Sequence, residues 1–382
     1  MIMGSITALG MIFISYFFPA VTHPLRERLA QIDFSEFLLG VLLSFLLFAG
    51  SLHVQLADLK KSAKVIITFA SVGTLISTAV VGIALYYLTI FIALPIPFLY
   101  CLLFGALISP TDPIAVMGIL KEAGLSKDIE TKIVGESLIN DGIGVVIFVT
   151  ILQIVAVGHE NFGVIDITLL FLQEAVGGVV TGLLIGYAGF ILMKSIDHFQ
   201  TEILISLAMV MGGYSFCHYI HVSGPLAMVV AGIITGNTGA AKAMSDNTRD
   251  YLGKFWEVTD EILNAILFML IGLEIVFVDF RVGYILISII TVVLIVLSRF
   301  ISLYGTSLLF RFKQEISNNT LKIMTWGGLR GGISIALALS IPPNPYKELI
   351  VSITFVIVLV SIVGQGLTIE RFIKHINRKA GG

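Results

Sequence analysis

The sequence predicts an all-α polytopic membrane protein with inverted repeats and two broken helices that cross each other. Of its 382 residues, 57% are hydrophobic and only 13% are charged. The mean hydropathy of +1.00 lies far outside the range of soluble domains. Apolar runs long enough to cross the ~30 Å hydrocarbon core recur about 12 times. Two of these runs are interrupted by residues that break helices, which is typical of transporters built from inverted repeats.

The predicted spans cover nearly the whole chain and are separated by short polar loops. Each is an apolar run whose ends are marked by charged residues, glycine or proline. In order they are 5–20, 36–56, 64–90, 97–120, 129–157, 168–194, 201–219, 223–238, 255–278, 282–310, 320–341 and 347–372.

Loop charge gives an independent test of this topology. Most of the 23 lysine and arginine residues fall in loops on the side that holds both termini. Because cytoplasmic loops carry the excess of positive charge, both termini are predicted to lie in the cytoplasm. A miscounted helix would have scrambled this asymmetry. The protein is therefore expected in the cell (inner) membrane as a multi-pass protein.

The fourth span contains the segment Ser109-Pro110-Thr111-Asp112-Pro113. Two prolines around an aspartate break the helix that carries it. A charged side chain at the bilayer centre costs at least ~2.5–3.5 kcal/mol, so it indicates function. Irregular backbone at this depth is tolerated only where it lines a polar cavity. This segment therefore predicts transport of an ion or another solute.

A second interruption lies in the eleventh span, at residues 326–332, where four glycines surround Arg330. Each glycine costs ~1 kcal/mol relative to alanine in a helix. The fourth and eleventh spans run in opposite directions, so the two breaks are expected to cross at the midplane. Asp112 could offset the positive N-terminal ends of the half-helices, and Arg330 the negative C-terminal ends. The alternative is that the glycines only allow close helix packing.

The fifth span places Ser137 and Asp141 on one helix face, one turn apart. A hydroxyl and a carboxylate are hard oxygen ligands suited to a small cation. The alternative for Asp141 is a structural acid paired with lysine or arginine. The fifth span has no basic residue after Lys132, which argues against that alternative.

The adjacent strip of the same helix carries Glu136 and Asn140. Glu136 is expected to form a structural ion pair with the intramembrane Arg330. Asn140 either orients Asp141 or links two helices. Asp112 is either an ion ligand or a cap for the broken helix, with the cap favoured. Arg299, in the tenth span, is expected to extend its charged group to the membrane interface.

Several function classes are excluded or disfavoured by the sequence. The net charge of −2 gives no basic domain for nucleic acid. Neither a zinc-type cluster nor a phosphate-binding glycine loop is present in the sequence, so no cofactor is expected beyond the transported ions. The acidic residues that border the ninth span are expected to face a cytoplasmic funnel that concentrates cations; they are Glu257, Asp260 and Glu261.

With Thr111-Asp112, Asn140-Asp141 and the glycine-rich arginine segment together, the sequence resembles the NhaP-type sodium/proton antiporters of the monovalent cation/proton antiporter family 1. The likeness covers nearly the whole chain, including residues 46–52 and 268–273. The resemblance implies an NhaA/NhaP-like antiporter fold and a homodimer. It also implies a static scaffold and a mobile core that moves in an elevator fashion.

By that resemblance, Asp141 binds a sodium ion or a proton in alternation. Ser137, Thr111 and Asp112 complete the site, with Asp141, Ser137 and Thr111 as the sodium ligands. Glu136 and Arg330 pair structurally. The implied domains are scaffold and dimer helices at 5–56 and 201–278, a linker helix at 168–194, core helices at 64–157 and 282–372, and a cytoplasmic tail at 373–382.

The predicted function is electroneutral exchange of sodium or lithium for a proton at the single competing carboxylate Asp141, in the service of pH homeostasis. Asn140 stands where relatives that move net charge have a second aspartate, which favours one proton per sodium ion. The alternatives are a potassium/proton antiporter of the same fold and a cation channel or uniporter. An intramembrane aspartyl protease with Asp112 and Asp141 as its dyad would leave the break around Arg330 unexplained. The protein is thus not expected to be an enzyme.

Overall fold

A computed structural model describes residues 37–112, 125–158, 163–274, 282–312 and 316–380. Within these ranges the chain is helical, with no β-strand. Six of the described helices are both long and apolar enough to cross a membrane. The shorter apolar helices Gly40–Leu52 and Phe98–Ile108 accompany them. The all-α polytopic fold predicted from the sequence is confirmed.

Twelve helical segments are numbered here in chain order, with short π-helical turns included in the helices that contain them. They are α1 (Phe37–Leu42 and Leu43–Leu52), α2 (Leu56–Phe91), α3 (Phe98–Ile108), α4 (Lys127–Val157), α5 (Val164–Lys194), α6 (Phe199–Tyr219), α7 (Gly224–Lys242), α8 (Asp246–Glu274), α9 (Val282–Leu309), α10 (Asn318–Gly327), α11 (Gly332–Leu339) and α12 (Lys347–Val360, Ser361–Gln365 and Gly366–Ala380).

Each predicted span from the second onward coincides with one of these helices, or with two where the span is broken. The first predicted span, 5–20, lies outside the described residues. The largest difference is at α8, which begins at Asp246, nine residues before the predicted start at 255. Its first turns are polar, so apolarity alone gave no signal for them.

Both predicted interruptions are present. The α3 helix ends at Ile108, and residues 109–112 are not helical. The remainder of that predicted span, to 120, lies outside the described residues. The α10 helix ends at Gly327 and α11 begins at Gly332, with four non-helical residues between them. The eleventh span is therefore two half-helices joined by four non-helical residues.

The helices divide into two compact units. One contains Lys64–Gly144 and Ala265–Gly382, and the other contains Glu36–Ala63 and Val145–Asn264. The division falls inside α2, α4 and α8, whereas the predicted domains ended at the ends of the predicted spans. The roles of scaffold, linker and mobile core remain predictions.

The first unit has a core where the end of α12 packs against α10. Ile369 and Ile373 of α12 are fully buried and belong to the same apolar cluster as Leu321 and Met324 of α10. Lys374, on the other face of α12, is exposed and pairs with Glu370. This amphipathic end of α12 fixes the half-helix that leads into the second break.

The second unit is centred on Trp256 of α8, which is completely buried. Its ring lies against Phe48 of α1, with centroids 4.7 Å apart. Its indole Nε1 donates a hydrogen bond to Ser206 Oγ of α6 at 3.0 Å. The indole N–H, which is the only polar group of this side chain, therefore has a partner, and the ring can be buried without an unsatisfied donor.

The α2 and α3 helices approach each other closely at Gly105. A Cβ atom on Gly105 would lie 2.4 Å from the backbone oxygen of Thr78. Any side chain here would force the two backbones apart, and α3 leads directly into the first break.

We expect Gly105→Ala to destabilise the protein by about 1–3 kcal/mol, because the extra carbon overfills a packed contact. Gly212→Ala is the matched control, since Gly212 of α6 has nothing within 4 Å of an added Cβ. Thermal unfolding of both purified variants in detergent measures the difference. Equal melting temperatures for the two would contradict the close approach.

Candidate ion-binding site

The two helix breaks contact each other. In the first break Pro110 lacks an N–H, and Pro113 disfavours helical geometry at Asp112. The backbone N–H of Asp112 donates to the backbone oxygen of Leu329 in the second break, at 2.8 Å. A Cβ on Gly331 would lie 2.3 Å from Asp112 Oδ2, so the Asp112 carboxylate lies against this glycine. The predicted crossing of the broken helices is confirmed at these contacts.

Arg330 satisfies the carbonyl groups that the first break leaves free. Its Nη1 donates to the backbone oxygens of Ser109, at 2.5 Å, and Pro110, at 2.8 Å. These oxygens lie at the C-terminal end of α3, where the helix dipole is negative. The guanidinium group is buried, and the backbone N–H of Arg330 donates to Ser361 Oγ of α12 at 2.9 Å. The expectation that Arg330 offsets a C-terminal helix end is confirmed.

The predicted ion pair between Glu136 and Arg330 is wrong. Glu136 pairs with Arg299 of α9 through two hydrogen bonds, from Nη1 to Oε1 at 2.8 Å and from Nη2 to Oε2 at 2.5 Å. The Glu136 side chain is 1% exposed and the Arg299 side chain 5%. Arg330 hydrogen-bonds the freed carbonyls instead.

The expectation that Arg299 extends to the interface is also wrong. Arg299 lies ten residues before the end of α9 at Leu309, a distance of about 15 Å along the helix. The sequence already places Arg299 far from the ends of the predicted span 282–310, and this position indicates that the charged group needs a buried partner.

Asn140 links α4 to the first break. Its Nδ2 donates to Thr111 Oγ1 at 3.0 Å and to Glu136 Oε1 at 2.8 Å. Its Oδ1 accepts from the backbone N–H of Thr111 at 3.2 Å. Of the two roles left open for Asn140, the link between chain segments is thus observed.

Ser137 and Thr111 are brought together as well. The Ser137 hydroxyl donates to the backbone oxygen of Thr111, and the two side-chain oxygens lie 3.1 Å apart. Both residues are buried. A small cavity of about 10 Å³ borders this pair and the Glu136–Arg299 ion pair. That volume accommodates about one water molecule.

Asp141 is buried, at 6% exposure, one turn after Ser137 on α4. Within the part of the chain that the structure describes, no residue donates a hydrogen bond to its carboxylate or forms an ion pair with it. The surrounding charges that act on it are Asp112, Glu136 and Arg330. Asp141 therefore differs from Glu136, whose charge is neutralised by a bidentate partner.

The geometry thus collects all seven predicted site residues in one compact unit, and adds Arg299. The other acidic candidates, Glu257, Asp260 and Glu261, lie on the part of α8 that belongs to the second unit. Their cytoplasmic funnel stays a prediction. Among the described residues no cluster of histidine, cysteine and carboxylate side chains is arranged to hold a resident metal ion.

Comparison with known proteins gives the family. A model of the transmembrane sodium/hydrogen exchanger family matches residues 1–375. The chain belongs to this family. It is 47% identical to the Na⁺/H⁺ antiporter NhaP of Pseudomonas aeruginosa over 363 residues, which cover 94% of the chain and 85% of that relative. The resemblance to NhaP-type antiporters is confirmed.

A second relative supports the family assignment, and a solved structure supports the fold. The Na⁺/H⁺ antiporter NhaH of Halobacillus dabanensis is 34% identical over 90% of the chain and 84% of its own length. The solved sodium proton antiporter MjNhaP1 of Methanocaldococcus jannaschii superposes with a TM-score of 0.70 over 97% of this chain and 98% of its own, at 18% identity. The fold is therefore the antiporter fold.

The corrected ion pair gives a quantitative expectation. We expect Glu136→Gln and Arg299→Met each to lower stability by about 3–5 kcal/mol, because each leaves a buried charge unpaired. The double variant should lose much less than the sum of the two. A double-mutant cycle followed by thermal unfolding measures this coupling.

The control cycle pairs Glu136→Gln with Arg330→Met. Coupling in this second cycle should be smaller, since Arg330 hydrogen-bonds backbone oxygens. If it equals or exceeds the coupling with Arg299, the assignment of partners is incorrect.

Proposed function

We propose that this protein exchanges a sodium or lithium ion for a proton at the single carboxylate of Asp141. The side-chain oxygens of Ser137 and Thr111 are the neighbouring ligands, and Asp112, next to Thr111 in the first break, completes the site. The observation that carries the proposal is the state of Asp141, a buried carboxylate with no ion-pair partner among the described residues. It lies one helical turn from Ser137, whose hydroxyl oxygen is 3.1 Å from that of Thr111. The NhaP and NhaH relatives are named as Na⁺/H⁺ antiporters, which agrees with this activity.

Competition follows from the cost of an ionised carboxylate away from water. An unpaired buried charge is expensive, whereas a carboxylate holding either a proton or a sodium ion is neutral. Oxygen ligands suit hard cations, and a carboxylate with two hydroxyls offers them. Because one group accepts either partner, the two fluxes are coupled without a covalent step.

The charges around the site support a ratio of one proton to one sodium ion. Glu136 is neutralised by Arg299, and Asn140, next to Asp141, carries no charge. Asp112, Glu136 and Asp141 supply three carboxylates against the guanidinium groups of Arg299 and Arg330. These groups leave one negative charge in excess, which a single monovalent cation or proton balances. Exchange is then electroneutral.

We further propose that the exchange proceeds by elevator-type alternating access in a homodimer. Every residue of the proposed site lies in the unit of Lys64–Gly144 and Ala265–Gly382. This unit is the proposed mobile core, and the helices of the second unit form the proposed scaffold. The basic loops favour cytoplasmic termini in the cell membrane, where the exchange would serve pH homeostasis.

Asp141→Asn should abolish sodium-driven proton flux, because an amide cannot alternate between a proton and a cation. The measurement is recovery of a pH gradient in proteoliposomes after sodium addition. Asp250→Asn is the matched control, since Asp250 is an exposed carboxylate of α8 that pairs with Lys254. The control should exchange at the wild-type rate.

Wild-type exchange by Asp141→Asn would refute the site. The same vesicles test the cation by adding lithium, sodium and potassium in turn. A response to potassium alone would favour the potassium/proton antiporter.

Electroneutral exchange predicts that a sodium gradient drives proton movement without changing membrane potential. Proteoliposomes loaded with a voltage-sensitive dye and a pH-sensitive dye report both quantities. A potential that follows the sodium gradient would rule out one-to-one exchange. Sodium flux without proton movement would indicate the alternative of a channel or uniporter.

A further inference from the structure

Ser77 of α2 contacts both chain segments that hold the proposed ion site. Its Oγ accepts a hydrogen bond from Ser109 Oγ at 2.9 Å and lies 3.2 Å from Ser298 Oγ. Ser109 lies two residues before Thr111 in the first break, and Ser298 directly precedes Arg299 in α9. A single hydroxyl therefore connects the segment that carries Thr111 to the helix that holds Glu136 in place.

The hydrogen bonds form a connected chain. Each hydroxyl has one proton to donate and two lone pairs to accept with. Thr78 Oγ1 donates to Ser109 Oγ at 3.4 Å, and the one Ser109 proton is shared between Ser77 Oγ at 2.9 Å and the backbone oxygen of Gly105 at 2.7 Å. Ser77 can then donate to Ser298 Oγ, while Ser298 donates to the backbone oxygen of Ser77 at 3.3 Å. All four residues are buried, and Ser77 is the member that contacts both segments.

Hydroxyl groups in membrane helices often serve only helix packing or bond to their own helix. Ser288 of α9 is an example, since its Oγ donates to the backbone oxygen of Tyr284 at 2.7 Å. Ser77 differs because its side-chain contacts are with other helices. Its two partners, Ser109 and Ser298, are close in the sequence to Thr111 and Arg299, respectively.

We propose that Ser77 is a positioning residue for cation binding. It sets the separation between Thr111, through Ser109, and the Glu136–Arg299 ion pair, through Ser298. This inference rests on the proposed function, because it concerns the same cation site. Ser77 acts on the affinity for the cation without touching it.

The test compares Ser77→Ala with Ser288→Ala in proteoliposomes, by the sodium dependence of proton flux. Removing the shared hydroxyl should raise the KM for sodium about five-fold, as expected for one lost buried hydrogen bond, with the maximal rate within two-fold of wild type. Ser288→Ala also removes a buried hydroxyl, but one bonded within its own helix, and should leave the KM unchanged. Ser298→Ala is the second test variant, and should raise the KM in the same direction even if Ser77→Ala fails to fold.

A further readout separates positioning from stability. Addition of sodium should raise the melting temperature of purified Ser77→Ala less than that of the wild type. If Ser77 were merely structural, the variant would melt at a lower temperature both with and without sodium, and the increase caused by sodium would equal that of the wild type. Unchanged KM values in Ser77→Ala and Ser298→Ala, or a loss confined to the maximal rate, would overturn the inference. Absence of sodium-driven proton flux in the wild-type protein would instead overturn the proposed function.

Discussion

The structure depends on one constraint, which is that every backbone polar group at membrane depth needs a partner. Ending α3 at Ile108 frees carbonyl groups that no water in the hydrocarbon region could bind. Arg330 supplies donors to the Ser109 and Pro110 oxygens, and Leu329 accepts from Asp112. The second break therefore supplies donors for the free carbonyl groups of the first break and an acceptor for its Asp112 N–H. The break at 109–112 can exist only because the break at 328–331 lies against it, and polar side chains can then be held at the crossing.

A second consequence is that the polar residues of α4 differ in how firmly they are held. Glu136 and Asn140 belong to one strip of α4, and both are engaged in fixed hydrogen bonds with Arg299 and Thr111. Asp141 lies on the next strip, beside Ser137, without such a bond to a described residue. Since a charged group with a bidentate partner changes its state at high cost, Asp141 is better suited than Glu136 to exchange partners. A rigid network thus surrounds one adaptable carboxylate.

The sequence predicted most of the fold, and the seven residues predicted for the ion site lie in one unit of the structure. Apolar length gave the spans, and helix-breaking residues gave both interruptions, because these signals are local. Proline and glycine at Pro110 and Gly328 act on their own backbone, so the pattern shows them directly. The partner of Glu136 was assigned incorrectly because pairing depends on the rotation of α9 about its axis. Two buried arginines were available, and loop charge and hydropathy do not distinguish Arg299 from Arg330. The chain of serine hydroxyls through Ser77 was missed for the same reason, since serine is common in helices and its partner lies more than two hundred residues away in the sequence.

The glycines of the second break show how a correct prediction can rest on an incomplete reason. Low helix propensity predicted the break, but none of the glycines at 327, 328, 331 and 332 has a positive φ. Space is the stronger requirement. A Cβ on Gly328 would lie 2.9 Å from Arg299 Nε and 3.1 Å from Thr111 Cγ2, and one on Gly331 would meet the Asp112 carboxylate. Side chains at these two positions would push the second break away from the Glu136–Arg299 pair and from the first break together. The glycines therefore determine how closely the charged groups approach, in addition to where the helix ends.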